Sequence, residues 1–178
     1  MRKVLYIFGL LTDTDIEWMA RTGVRRRVHA GETLIEEGRP IESVIFLLQG
    51  EFRVSTRTAG EIARLGVGEI VGEMSFVDSA PPSATVTAIS ECLTLLLDRQ
   101  AVLRKLESDL AFGSRFYRAL AMFLADRLRD TVGHLGYGKV EDLSPTIAKD
   151  ELDMEILDRV SMAGDRFDRM LKVLAGQD

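Results

Sequence analysis

Short apolar runs separated by glycines occupy the chain from residue 24 to residue 98. One run alternates cleanly, because Phe52 and Val54 lie among the polar residues Glu51, Arg53 and Ser55, as in a strand with one buried face. Strands are predicted at residues 24–28, 33–35, 43–48, 51–56, 62–65, 85–89 and 93–97. Many short strands at this spacing are typical of a β-sandwich or barrel.

Helical periodicity replaces this texture on both sides. Thr12 or Asp13 can cap a helix whose apolar residues Ile16 and Met19 fall at helical spacing, and Gly23 ends it. Further helices are predicted at residues 101–106 and 110–132, and two weak amphipathic helices between 148 and 175. The apolar stripe of the long helix comprises Phe112, Phe116, Leu120, Phe123, Leu124 and Leu128.

The patterns divide the chain into four parts. These are an N-terminal helical segment (1–23), a β-roll (24–98), C-terminal helices that pack or dimerise (99–138) and an acidic helical tail (139–178). Acidic residues outnumber basic ones in the tail, which is the wrong sign for a segment that reads DNA.

Composition and charge narrow the class of protein. The chain has 178 residues, 46% apolar and 29% charged, with a net charge of −5, so a generally DNA-binding surface is not expected. Cys92 is the only cysteine and lies in an apolar run, which predicts a buried thiol and suits a reducing compartment. No membrane-length apolar stretch is present, and the apolar residues 4–11 are followed by acids rather than a cleavage site. We expect a cytoplasmic protein without a membrane span.

The sequence contains no pattern of catalytic or metal-ligating residues. The two histidines, His29 and His134, lack the spacing of a metal site. Ser83 and Asp78 have no neighbouring histidine and no nucleophile-elbow pattern. We therefore predict a protein that is not an enzyme. The basic run Arg25-Arg26-Arg27 would be split between two faces of a strand, which favours a solvated edge.

Four motifs, in order and at matching spacing, carry a resemblance to a known family. They are residues 29–38 (HAGETLIEEG), 45–51 (IFLLQGE), 65–76 (LGVGEIVGEMSF) and 80–86 (APPSATV). The chain resembles the cyclic-nucleotide-binding domain superfamily, which includes catabolite-activator-type regulators, regulatory subunits of cyclic-AMP-dependent kinase and cyclic-nucleotide-gated channels. The resemblance covers about residues 10–132. It implies a mainly β fold with α flanks, a double-stranded β-helix (jelly-roll-like β-roll) with an N-terminal helix and a long C-terminal helix.

The resemblance also implies a phosphate-binding cassette at residues 71–86. A cyclic phosphate can be held by backbone N–H groups at a helix start, and a glycine lets the backbone come close. In similar proteins the glutamate at the position of Glu73 accepts a hydrogen bond from the ribose 2′-hydroxyl. The alternative is that N–H groups at the helix start bind the Glu73 carboxylate. The candidate ligand-binding residues are Gly72, Glu73, Met74, Ser75, Pro82 and Ser83. The expected ligand, if one binds, is a cyclic nucleotide such as cyclic AMP or cyclic GMP.

Pro82 departs from the family pattern. The family typically has an arginine here that pairs with the phosphate, whereas proline has neither a charge nor an N–H. Losing a charge-assisted hydrogen bond should weaken phosphate binding by about 10- to 150-fold. Arg53, Arg57 and Arg64 are candidates for a substitute cation.

Three functional hypotheses follow. The first is a regulatory sensor that binds a cyclic or related nucleotide weakly and signals to a partner through its C-terminal helices. The second is a ligand-free dimerisation or protein-interaction module with a degenerate cassette. The third, a DNA-binding regulator, lacks a basic recognition helix. The apolar stripe of the long helix favours a homodimer.

Overall fold

The computed structural model describes residues 8–134 and 154–175. Within them, strands run over β1 Val24–Val28, β2 Thr33–Ile35, β3 Ser43–Gln49, β4 Phe52–Thr56, β5 Gly60–Leu65, β6 Ile70–Val71, β7 Thr85–Ala88 and β8 Cys92–Asp98. The helices are α1 Asp13–Thr22, α2 Glu73–Asp78, α3 Arg99–Ser108, α4 Leu110–His134 and α5 Met154–Ala175.

The strands form two four-stranded antiparallel sheets, in the orders β1-β8-β3-β6 and β2-β7-β4-β5. Helices flank the first sheet, so the predicted mainly β fold with α flanks is confirmed. Among the described residues, no helix is long and apolar enough to cross a membrane.

Strand β3 is buried on both faces. Val44, Phe46 and Leu48 belong to the apolar core between the first sheet and the helices. The alternate residues Ile45 and Leu47 belong to a second core inside the roll. The uninterrupted apolar run at 44–48 follows from this position, because side chains alternate across a strand and both sides here face apolar neighbours.

Helix α1 begins as predicted. The Thr12 hydroxyl accepts a hydrogen bond from the Asp15 N–H, and the Asp15 carboxylate accepts one from the Thr12 N–H, a reciprocal capping box. Asp15 is 3% exposed and also accepts two hydrogen bonds from Arg115 of α4. The start of α1 is thereby fastened to the long helix.

Two elements differ from the prediction. The two-residue strand β6 was not predicted, because its pairing with Ile45 and Phe46 is a tertiary contact that no local pattern reveals. The predicted pair of weak helices near the C-terminus is wrong over residues 154–175, where a single helix, α5, passes through Gly164. Burial of Ala163, Met170 and Leu174 in the helical core compensates the cost of about 1 kcal/mol for a glycine inside a helix. The predicted residues 148–153 lie outside the described part.

Helix α5 packs on this chain's own α1. Arg166 donates to the Asp13 carboxylate at 2.7 Å and to the Phe8 carbonyl at 3.0 Å, and the rings of Phe8 and Phe167 meet edge-on at 5.6 Å between centroids. The basic run lies, as predicted, on an edge strand, β1, where Arg26 and Arg27 are exposed.

Candidate functional site

A cavity of about 750 Å³ lies against the second sheet, between the short helix α2 and the long helix α4. Its wall includes Val54 of β4, Leu65 of β5 and Val86 of β7, and α4 contributes Arg127 and Thr131. A cavity of this volume is within the usual range for small-molecule sites.

All six candidate ligand-binding residues line this one cavity. They are Gly72, Glu73, Met74, Ser75, Pro82 and Ser83. Residues 72–75 come from the start of α2, and Pro82 and Ser83 from the loop before β7. The folded chain thus brings both ends of the predicted cassette together, while the contact of each residue with a ligand stays a prediction.

Gly72 sets the position of α2. It precedes the helix with a φ of 83°, a left-handed conformation that favours glycine. A Cβ at this residue would lie 2.7 Å from the Ser43 carbonyl oxygen, closer than packing allows. Glycine is therefore required here so that β3 can approach and the chain can turn into α2 beside the cavity.

Glu73 is the most buried polar group of the cavity wall, at 2% exposed. Its carboxylate accepts a hydrogen bond of 2.5 Å from Nη1 of Arg127. The sequence suggested two partners for this carboxylate, a ligand hydroxyl or the helix start; the structure adds a third, a cation from α4.

Arg127 was not among the predicted site residues. Its Nη2 donates to Oε2 of Glu69 at 3.2 Å and to the Ile70 carbonyl at 3.0 Å, and its guanidinium lies 4.4 Å from the ring centroid of Phe123. Arg127 of α4 is therefore shared between two carboxylates beside the cavity.

The pKa of Glu73 is raised above its ordinary value of 4.5, and burial of the carboxylate is the main cause. The positive charge of Arg127 and a hydrogen bond from the Glu73 backbone N–H, at the helix start, offset only part of this effect, and the nearby Glu69 adds to it. At Glu73, burial thus outweighs the groups that favour the charged form of the carboxylate.

Of the three arginines predicted as substitutes for the missing cassette arginine, one lines the cavity and two do not. Arg64 lines the cavity but bonds to Glu61 at 2.8 Å. Arg57 is engaged by Glu37, with Nε to Oε1 at 3.1 Å, and it does not line the cavity; nor does Arg53. Pro82 lies in the wall, and its carbonyl accepts a hydrogen bond from the Gly38 N–H.

The remaining reactive groups lie elsewhere. His29 is exposed, bonds to Glu91 at 3.1 Å and does not line the cavity. Cys92 is buried, as predicted, and its thiol lies 3.5 Å from the Glu51 carbonyl oxygen. Among the described residues, no group of His, Cys, Asp and Glu side chains could hold a metal ion. The cavity offers hydroxyl, carboxylate and apolar contacts, which is the chemistry of a binding site.

A β-roll with a cavity between a short inserted helix and a long C-terminal helix defines a ligand-binding regulatory domain. Residues 25–109 match the model of the cyclic nucleotide-binding domain, and this segment belongs to the cyclic-nucleotide-binding domain superfamily. The resemblance predicted from the motifs is confirmed.

Curated relatives carry similar segments in proteins of different activity. The chain is 27% identical over 128 residues to a CRP-like cAMP-activated global transcriptional regulator of Mycobacterium tuberculosis, covering 70% of this chain and 55% of the regulator. It is 36% identical over 119 residues to Glutaminase 2 of Bradyrhizobium diazoefficiens, covering 65% of this chain and 19% of the glutaminase. The chain therefore spans about half or less of these relatives.

Solved structures share the fold. A cyclic nucleotide-binding domain from Methylobacillus flagellatus superposes with a TM-score of 0.68 at 22% identity, over 79% of this chain and 85% of that one. The catabolite activator protein of Thermus thermophilus superposes with a TM-score of 0.62, also at 22% identity, over 97% of this chain and 87% of that one.

Proposed function

We propose that this chain is a regulatory sensor domain. A small ligand of nucleotide type enters the cavity, and α4 transmits its binding to a partner. One observation carries the proposal: the short helix α2 both lines the cavity and contacts α4. Domains of this superfamily are generally regulatory rather than catalytic, which supports a role without enzymatic activity.

Two contacts connect α2 to α4. The rings of Phe76 and Phe116 meet edge-on at 5.9 Å between centroids, and Glu73 bonds to Arg127. A ligand hydroxyl that bonds to Oε1 of Glu73 would compete with Nη1 of Arg127 for this oxygen atom. Ligand binding would then favour a different position of α4, which is a shift between two conformations.

Trp18 offers a reporter for this shift. It is the only tryptophan, and its ring lies 5.3 Å from that of Phe112 on α4. Titration with cyclic AMP, cyclic GMP and their nucleosides should raise the melting temperature and change Trp18 fluorescence with the same saturation curve. Ligand at 100 times its Kd should add about 2.7 kcal/mol to the free energy of unfolding.

A matched pair of variants separates binding from transmission. Phe116→Leu removes the aromatic contact with α2, so we expect binding without most of the fluorescence change. Tyr117→Leu alters the adjacent, 47% exposed side chain and should retain both signals. Absence of binding at millimolar concentration of every ligand would refute the sensor function.

A ligand-free dimerisation module is the second candidate function. Apolar side chains of α4 remain exposed in the described chain, among them Met122, Leu128 (64% exposed) and Val132. Pairing of two copies through α4 would cover them. Sedimentation should show a dimer for the wild type and a monomer for Leu128→Glu; a wild-type monomer would refute pairing. The single cysteine supports a cytoplasmic location for either function.

A further inference from the structure

The charges of the cavity wall are balanced, so the wall offers no net positive charge to an anion. Among the described residues that line the cavity, the charged side chains are Arg64, Arg127, Glu73 and Asp78, two of each sign. The strongest hold on a phosphate in such a site is a charge-assisted hydrogen bond from a cation that is not already paired with carboxylates.

Both arginines are already committed. Arg127 bonds to Glu73 at 2.5 Å and to Glu69 at 3.2 Å, so its guanidinium is already shared by two carboxylates. Arg64 bonds to Glu61 at 2.8 Å, outside the cavity wall. A phosphate placed beside Glu73 would bring a second anion to a carboxylate that is itself almost completely buried.

The loop across the cavity, residues 80–84, supplies no replacement cation. Pro81 and Pro82 both lie in the wall, and neither has a backbone N–H or a charge. The Asp78 carboxylate, which accepts a hydrogen bond from the Ala80 N–H at 2.9 Å, lies in the wall between α2 and this loop.

The rest of the wall suits an uncharged ring. Ile62 and Met74 line the cavity and are about half exposed, at 54% and 50%, so their apolar surface is open to a ligand. Ser75, Ser83 and the Glu73 carboxylate supply hydrogen-bonding groups for hydroxyls. A volume of about 750 Å³ accommodates a molecule of nucleoside size.

We infer that the cavity binds an uncharged, hydroxylated ring compound of nucleoside size in preference to a cyclic phosphate. The inference rests on the proposed function, because it names the ligand class of the same cavity. The ring packs on the apolar wall, and ligand hydroxyls donate to Glu73. Because no charge is transferred into the cavity, binding is nearly independent of salt.

Calorimetric titration of the full chain with adenosine and guanosine, each beside its cyclic monophosphate, tests the inference. We expect at least one nucleoside to bind the wild type about tenfold or more tightly than the matching cyclic nucleotide, the scale of one unfavourable charge contact. Equal or tighter binding of the cyclic nucleotide would overturn the inference and leave the proposed sensor function standing. No binding of either class at millimolar concentration would overturn both.

A substitution that supplies the missing cation sharpens the test. Pro82→Arg should shift the ratio of the two affinities toward the cyclic nucleotide by about 10- to 100-fold, and Pro82→Gln, of comparable size without a charge, should not. An unchanged ratio in a Pro82→Arg protein that melts like the wild type would contradict the role assigned to charge.

Discussion

Helix α4 carries two arginines that each reach a carboxylate almost completely buried, yet the two sites differ in balance. Toward its start, Arg115 uses Nε and Nη2 to bond to both oxygens of Asp15, at 2.8 and 2.9 Å. Farther along, Arg127 divides its donors among Glu73, Glu69 and a backbone carbonyl. Arg115 bonds to one carboxylate, whereas the guanidinium of Arg127 is shared by two.

The two carboxylates respond in opposite directions. Burial alone would raise the pKa of Asp15, but hydrogen bonds from Arg115 and Thr12 outweigh it and lower the pKa below 3.8. Burial dominates at Glu73 and raises its pKa above 4.5 despite Arg127. The Asp15–Arg115 pair therefore stabilises the fold, whereas at Glu73 the contact with Arg127 does not outweigh burial, so a further donor can alter that site.

Removing the fastening arginine should have the largest effect. Arg115→Met leaves Asp15, 3% exposed, with a charge that the contacts with Thr12 satisfy only in part. We expect a loss of about 3 kcal/mol in the free energy of unfolding at pH 7, measured by urea denaturation. The double variant Asp15→Asn/Arg115→Met should recover part of it; a loss under about 1 kcal/mol for Arg115→Met would contradict the fastening role.

The same substitution at the cavity should cost less. Arg127→Met leaves Glu73 without its cation, but this carboxylate can take up a proton because its pKa is already raised. Protonation limits the penalty, so we expect a loss of about 2 kcal/mol at pH 7 by the same measurement. The loss should shrink as the pH is lowered toward 5. A loss larger than that of Arg115→Met, or one independent of pH, would reverse the comparison.

The smallest effect is a difference in pH dependence. Because the pKa of Glu73 is raised in the folded state, this carboxyl contributes less stability as the pH rises above 4.5, so Glu73→Gln should gain stability relative to the wild type between pH 4.5 and 7. The lowered pKa of Asp15 contributes stability that is present above pH 3.8. This stability is lost as the pH falls through the pKa of Asp15 in the folded protein. Asp15→Asn should therefore show a constant deficit above pH 4 that disappears in acid. Parallel pH profiles of the two variants would be evidence against the contrast.

Much of the fold could be predicted because its signals are local. The Thr12 cap, the alternation around Phe52 and the three- and four-residue spacing of Phe112, Phe116 and Phe123 each specify one element. Strand β6 could not be predicted, since two residues carry no periodicity and their strand character comes from β3. The continuity of α5 through Gly164 depends on packing against α1, which the sequence does not display.

The cassette residues of the candidate site could be predicted from the sequence, but the contact of the cassette with α4 could not. Gly72 and Glu73 stand in a motif, whereas the contact between Glu73 and Arg127 joins residues 54 positions apart. A signal was nevertheless present: Arg127 follows Phe123 by four positions, so a cation interrupts the apolar stripe of α4 on its inward side. A buried-side cation of this kind predicts an acidic partner, although not which one.

Strand β3 has a consequence for how the molecule unfolds. Its side chains alternate between the two cores, so the helices cannot leave the first sheet without exposing a strand that also closes the roll. The layers should consequently melt in one cooperative step, and the β3 amides should be the slowest to exchange with deuterium. A ligand bound in the cavity would then slow amide exchange in α1 and α5, which pack on the outer face of the first sheet. It would do so without touching these helices, because they and the roll open in the same unfolding step.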